Sequence, residues 1–368
     1  MQALFNFINV PLGYVMRFFA GIFNNDFAAA VAIFTLIINV VLIPLSIKSQ
    51  KSSVQQMRIK PKMDELRKKY GDDRQKLAQA QQELYQQEGV SMSGGCLPML
   101  VRLALMMSIY WLILSPLTYI ARVEKADVTA VSTAVTETMS DYEKNDPEKY
   151  TEFSKRMVEL SGAKSMQKGA KNTTQRTSNV DLLMTNIVRN DPEFVKDLLP
   201  EEKYKQIEKA YKNIIEKDKD AHINYLLFGN EQLDLTKTPN FSFNIFEEAQ
   251  LLWLIPFGAF LAQLLTSVIS MRVNKINNPE APSMMGMMLT MPLISLFIGF
   301  GLPAGVGFYW ICSSLIGGLI QSGVQLWYGP HKLLARERAK ELGVQCDFEA
   351  KQLNKFNNTD DTESIIKD

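Results

Sequence analysis

The amino-acid sequence predicts an all-α membrane protein: five transmembrane helices around a polar groove, an N-terminal interfacial helix and a cytoplasmic helical hairpin. Charged residues are nearly absent from about five apolar stretches and crowded into the segments between them, the pattern expected where unpaired charge in hydrocarbon is costly. The stretches have about the 20 residues that a bilayer core requires. Basic residues flank them at alternating ends, the bias that sets orientation. Whole-chain averages conceal this segregation, because 40 Lys and Arg stand against 39 Asp and Glu in 368 residues.

Residues 1–25 place Leu4, Ile8, Leu12, Val15, Phe19 and Ile22 at helical spacing around Asn6, Asn9 and Arg17, which suits a helix lying in the membrane interface. Pro11 and Gly13 are expected to interrupt it, and a short loop packed on the bundle is the alternative. Residues 26–48 hold the first span. Asp26 precedes it and Lys48, Lys51 and Arg58 follow, so its N-terminal end is expected outside. Residues 49–95 read as a helical hairpin whose arms part at Tyr70-Gly71-Asp72-Asp73, a turn with a capping aspartate. Its second arm offers Leu77, Leu84 and few other large apolar residues, so a narrow seam and a mobile arm are expected.

The second span covers 96–120 and contains Arg102. Residues 121–248 are polar, hold no run long enough to cross a membrane, and form an extracytoplasmic insertion; long loops translocate largely regardless of their charge. The third span is 249–271, and Arg272 and Lys275 open a cytoplasmic loop over 272–282. Spans four and five, 283–300 and 302–327, are joined by the tight reversal Gly301-Leu302-Pro303-Ala304-Gly305. The tail, 328–368, begins with His331, Lys332, Arg336, Arg338 and Lys340, as a cytoplasmic end should. The N-terminus is therefore expected outside and the C-terminus inside. The first residues lack the features of a cleaved signal or an organellar transit peptide, which makes a bacterial plasma membrane the expected location.

Cys96, Cys312 and Cys346 have neither paired nor metal-ligand spacing, and His222 and His331 are the only histidines. We therefore expect no metal, no cofactor and no enzymatic site. The spans also hold no acidic residue to relay protons.

An ionisable residue inside a span is by default a functional candidate, because it should face water or a partner rather than lipid. Arg102 is that residue; snorkelling to the inner headgroups is the alternative. Asn39 of the first span lies in the same cytoplasmic half, Thr35 shares its helical face, and Gln263 and Ser267 recur at i, i+4 in the third span. Together they could line one polar groove, or Asn39 and Gln263 could simply bond helix to helix. Met284, Met287, Met288 and Met291 could offer an adaptable surface to varied substrate helices, with lipid-facing or core packing as the alternative. Tyr309 and Trp310 could line the groove or pack in the bundle.

Leu84-Tyr85 and Glu88-Gly89, then Gly94-Gly95-Cys96-Leu97-Pro98, Met291-Pro292, Leu302-Pro303-Ala304-Gly305, Tyr309-Trp310 and Gln321 follow one another in an order that resembles the YidC family of membrane protein insertases. The resemblance covers about the first and last 120 residues, and the missing domain before the first span makes it Gram-positive-like, although the lipoprotein cysteine is absent. It implies a hydrophilic groove open to the cytoplasm and to lipid, along which nascent transmembrane segments slide. It also implies the Sec translocon, the ribosome and the signal recognition particle pathway as partners beside the lipid bilayer, and no direct nucleic-acid recognition. The family's groove arginine lies five residues before Pro44-Leu45, where this chain has Asn39, and a glutamine usually stands where Arg102 is found. The positive charge is therefore expected on the facing wall. A secondary transporter or channel is the alternative function, against which stand the odd span count and the lack of internal repeats. A scaffold acting through residues 121–248 is a third.

Overall fold

The computed structural model describes residues 2–71, 73–89, 97–161, 180–239, 250–277 and 285–364. Among these residues the secondary structure is helical, with two isolated β-bridges and no named strand. The chain divides into two compact units. One comprises Met1–Val41, Leu100–Ser270 and Ser283–Ile320, the other Leu42–Met99, Met271–Pro282 and Gln321–Asp368.

The first unit opens with α1 (Gln2–Ile22), which stays helical through Pro11 and Gly13, against expectation. Pro11 is exposed, so the Phe7 carbonyl that loses its helical donor faces outward, where the loss is cheap. Gly13 is required on the opposite face: a Cβ there would collide with the Tyr119 carbonyl. Asn9, Gly13, Met16 and Ala20 form the buried stripe at i, i+4, i+7, i+11. Asn24 and Asn25 turn the chain at φ 55° and 59°, a region that asparagine tolerates. The Asp26 carboxylate then accepts from Ala29 N at 3.0 Å and caps α2 (Phe27–Val41).

α5 (Leu97–Leu114) is stopped by Ser115-Pro116 and passes into a π-helical turn, Leu117–Ala121, closed by Arg122 at φ 61°. The insertion folds as a group of helices whose buried side chains are continuous with the core beneath α1 and α2. Its helices are α6 (Lys125–Asn145), α7 (Pro147–Ser161), α8 (Val180–Asn190), α9 (Phe194–Leu198) and α10 (Glu201–Ala221). Val128, Val131, Val135 and Met139 give α6 a buried stripe of helical period, as do Ile207, Tyr211 and Ile214 in α10, and the two helices pack together. α8 is buried from Asp181 to Val188 and forms the centre of this group.

α11 (Leu254–Asn277), α12 (Met285–Gly299) and α13 (Ala304–Tyr328) complete the apolar helices. By length and hydropathy Leu251–Val273 and the helix that starts at Ala304 can each cross a membrane. Phe27–Val41 with Ile43–Ser52 forms a third if the break at Leu42 is counted as one span, and Leu103–Leu114 and Thr290–Gly299 are shorter apolar helices. The break at Leu42 departs from the uninterrupted first span expected: Pro44 sits in the first turn of the helix that starts at Ile43, where its missing N–H costs nothing.

The second unit holds α3 (Ile43–Tyr70), α4 (Arg74–Gln87) and the long α14 (Pro330–Ser364), with both α4 and α14 packed on α3. Asp73 caps α4 by accepting from Gln75 N and Lys76 N. Leu84 is buried, Leu77 is half-buried, and Lys62 pairs with Glu88 at the far end of α4.

Candidate functional site

Asn39 lies twelve residues along α2 from Phe27, about 18 Å of helix rise. Its Nδ2 donates to Thr35 O at 2.8 Å, and the Thr35 hydroxyl, 2% exposed, donates to Val31 O at 2.6 Å. Both residues thus direct their donors into their own helix. The Asn39 Oδ1 faces α13, where a Cβ on Gly317 would come within 2.9 Å of it. Glycine at 317 is what lets the two backbones approach over a polar side chain.

The third apolar helix behaves alike. Gln263 Oε1 accepts from the Ser295 hydroxyl of α12 at 2.6 Å, a hydrogen bond between two apolar helices. Thr266 donates to Ala262 O at 2.9 Å and lays its methyl against Gly318 of α13. Ser267 is half-buried one turn from Gln263. Tyr309 belongs to the apolar core and Trp310 packs against it, the bundle-packing alternative. Met291 is 66% exposed on α12. Met284 lies outside the described residues, as do the side chains of Met287, Met288 and Arg102, whose backbones are helical. Gly317, Gly318, Thr266 and Ser295 were missed by sequence reasoning. The Gly-Gly pair inside an apolar helix was the available signal, since small residues mark close helix packing in membranes.

α2 and α13 begin, and α5 ends, against the insertion. Phe27 N donates to Asn224 O at 2.9 Å, and Asn224 N returns a bond to Asn25 O at 2.8 Å. Ala304 N and Gly305 N donate to Lys237 O and Leu235 O at 2.8 and 2.7 Å. The Asp181 carboxylate accepts from Leu117 N at 2.8 Å, Thr118 N at 3.1 Å and Thr118 Oγ1 at 2.5 Å. These donors lie in first turns, where a helix offers no acceptor of its own, so the insertion caps three starts at once. Burial pushes the Asp181 carboxyl up to about 6, against the pull of its three donors. Deeper in the insertion, Arg189 bonds both Asp218 oxygens and Ile223 O and lies over the Tyr225 ring, which itself packs on Phe27.

Residues 18–179 match the 60Kd inner membrane protein family. This is the YidC family that the motifs resembled. The match enters the insertion, further than the motifs reached, and ends before Met291-Pro292 and Leu302-Pro303-Ala304-Gly305. Over 106 residues the chain is 40% identical to the membrane protein insertase YidC of Haemophilus influenzae (strain PittEE). It is 41% identical over the same length to those of Shewanella woodyi and Tolumonas auensis. Each alignment covers 28% of this chain and 19% of the relative, so the chain spans about a fifth of the length of the insertases it matches.

Proposed function

We propose that this protein is a membrane protein insertase and chaperone that guides nascent transmembrane segments into the bacterial plasma membrane, alone or beside the Sec translocon. The observation that carries the reading is the 60Kd inner membrane protein match over residues 18–179, together with apolar helices that bury polar contacts. No bond is broken. The work is to lower the cost of moving polar flanks across hydrocarbon, and an intramembrane guanidinium lowers it by giving an acidic tail a counter-charge.

In this reading the N-terminus is outside, the C-terminus is cytoplasmic and the insertion caps the outer end. Arg102 supplies the groove charge and Asn39 a hydrogen-bonding group on the facing wall. Thr35, Gln263 and Ser267 continue the polar wall, with Tyr309 and Trp310 packed behind it, and Met291 with Met284, Met287 and Met288 offers the substrate surface. The α3–α4 hairpin receives nascent chains or their targeting factors, and the resemblance adds the ribosome and the signal recognition particle pathway.

The test uses vesicles containing the purified chain and a single-span substrate with an acidic tail, scored by protease protection of the tail. Arg102→Gln should lower insertion about tenfold, the loss expected for removing a charge-assisted contact of about 1.5 kcal/mol. Asn39→Arg in that background should restore it. Full activity in Arg102→Gln would refute the assignment of the groove charge, and no insertion by the unaltered chain would refute the function.

A further inference from the structure

The face of α1 that points away from the bundle carries Phe7, Val10, Tyr14, Phe18 and Ile22, each between 47% and 88% exposed. They recur at i, i+3, i+7, i+11 and i+15 and make one apolar stripe opposite Asn9, Gly13, Met16 and Ala20. Two guanidinium groups lie along one edge of that stripe, beside the turn that ends α5. Arg122 stands 3.8 Å above the Tyr14 ring, and Arg17 Nη1 reaches the Ile120 carbonyl at 3.4 Å. Both partners are neutral. Among the described residues neither guanidinium has an ion-pair partner; Glu124, exposed and two residues from Arg122, makes none with it.

Such an arrangement differs from an ordinary solvated arginine. Each cation is held in place, Arg17 by a carbonyl and Arg122 by a ring, while other N–H donors remain available to an anion. The apolar stripe beside them supplies a surface for acyl chains next to the turn that ends α5. We infer that Arg17 and Arg122 form a binding site for the phosphodiester of an anionic phospholipid, whose acyl chains lie along Tyr14, Phe18 and the rest of the exposed face of α1. The inference rests on the membrane placement of the helices and not on insertase activity, so either can fail without the other.

The experiment measures lipid retained by the full chain in detergent, using native mass spectrometry with added phosphatidylglycerol, phosphatidylcholine or inorganic phosphate. Phosphatidylglycerol should be retained in preference to phosphatidylcholine. Arg17→Gln and Arg122→Gln should each weaken retention about fivefold, and the double variant about thirtyfold, at roughly one charge contact each. Inorganic phosphate at the lipid's concentration should not compete, because it lacks the chains that the stripe would cover. Arg122→Gln alters an exposed side chain, so its loss of retention cannot be ascribed to misfolding when its melting temperature in lipid-free detergent is unchanged. Retention unaltered in the double variant, equal retention of phosphatidylcholine, displacement by phosphate, or a dimer that buries the stripe would each overturn the site.

Discussion

Gly13→Ala and Gly21→Ala make the same chemical change in the same helix, and the structure predicts opposite signs for them. A Cβ on Gly13 would lie 3.1 Å from the Tyr119 carbonyl carbon and 3.2 Å from its Cβ, and would collide with the carbonyl oxygen. These are mostly backbone atoms that no rotamer change can move, and ordinary contact begins at 3.4 Å. α1 therefore has to retreat by several tenths of an ångström along its buried stripe, where a gap of about 0.5–1 Å forfeits a quarter to a half of each dispersion contact. Met16 and Ala20, each 1% exposed, lose packing as a result. The expected cost is about 1–3 kcal/mol, the usual penalty for an overpacked interior. A Cβ on Gly21 meets nothing within 4 Å, so alanine there should be neutral or stabilise α1 by up to about 1 kcal/mol through helix propensity. Hydrogen–deuterium exchange over residues 2–22 in nanodiscs reads both effects. Faster exchange is expected for Gly13→Ala, and unchanged or slower exchange for Gly21→Ala. Equal protection in the two variants would show that α1 does not dock on the Tyr119 backbone.

Gly318→Ala would place its Cβ 2.6 Å from Thr266 Cγ2 and 2.8 Å from its Cβ, a clash with a stiff β-branched side chain; a lower melting temperature is expected, with recovery on adding Thr266→Ser. A double-mutant cycle on Gln263→Ala and Ser295→Ala should return a coupling of about 0.6–2 kcal/mol, typical of hydrogen bonds between membrane helices, and a coupling of zero would place the two groups apart. Burial holds the Asp181 carboxyl at about 6 in the folded protein against 3.8 for a free one, so its stabilisation is complete below pH 3.8 and fades as pH rises through 6. The range amounts to up to about 3 kcal/mol. Asp181→Ala should remove this part of the slope of melting temperature against pH between 4 and 7, and an unchanged slope would assign the titration elsewhere.

Much of this architecture is legible before any coordinates. The helices α2, α11 and α13 announce themselves through length and apolar composition, and the ordered motifs lead to the same family as the match over residues 18–179. Proline misled at 11, where the sequence rule for a helix break omits which face the missing hydrogen bond will occupy. Asn39 and Gln263 were identifiable as polar residues in apolar runs, yet their partners Gly317 and Ser295 were not, because each lies on a helix remote in the chain. The three caps that the insertion provides could not be read at all: Asp181, Asn224 and Leu235 are unremarkable in the linear chain.

What the chain alone determined is where apolar segments lie, since the free energy of transferring a segment into hydrocarbon is close to a sum over its own residues. Tertiary structure decided which polar groups meet, which glycines are needed for close approach, and how the insertion holds the helix ends. Those depend on distances between segments far apart in sequence, and a hydrogen bond or a steric contact changes sign over about an ångström.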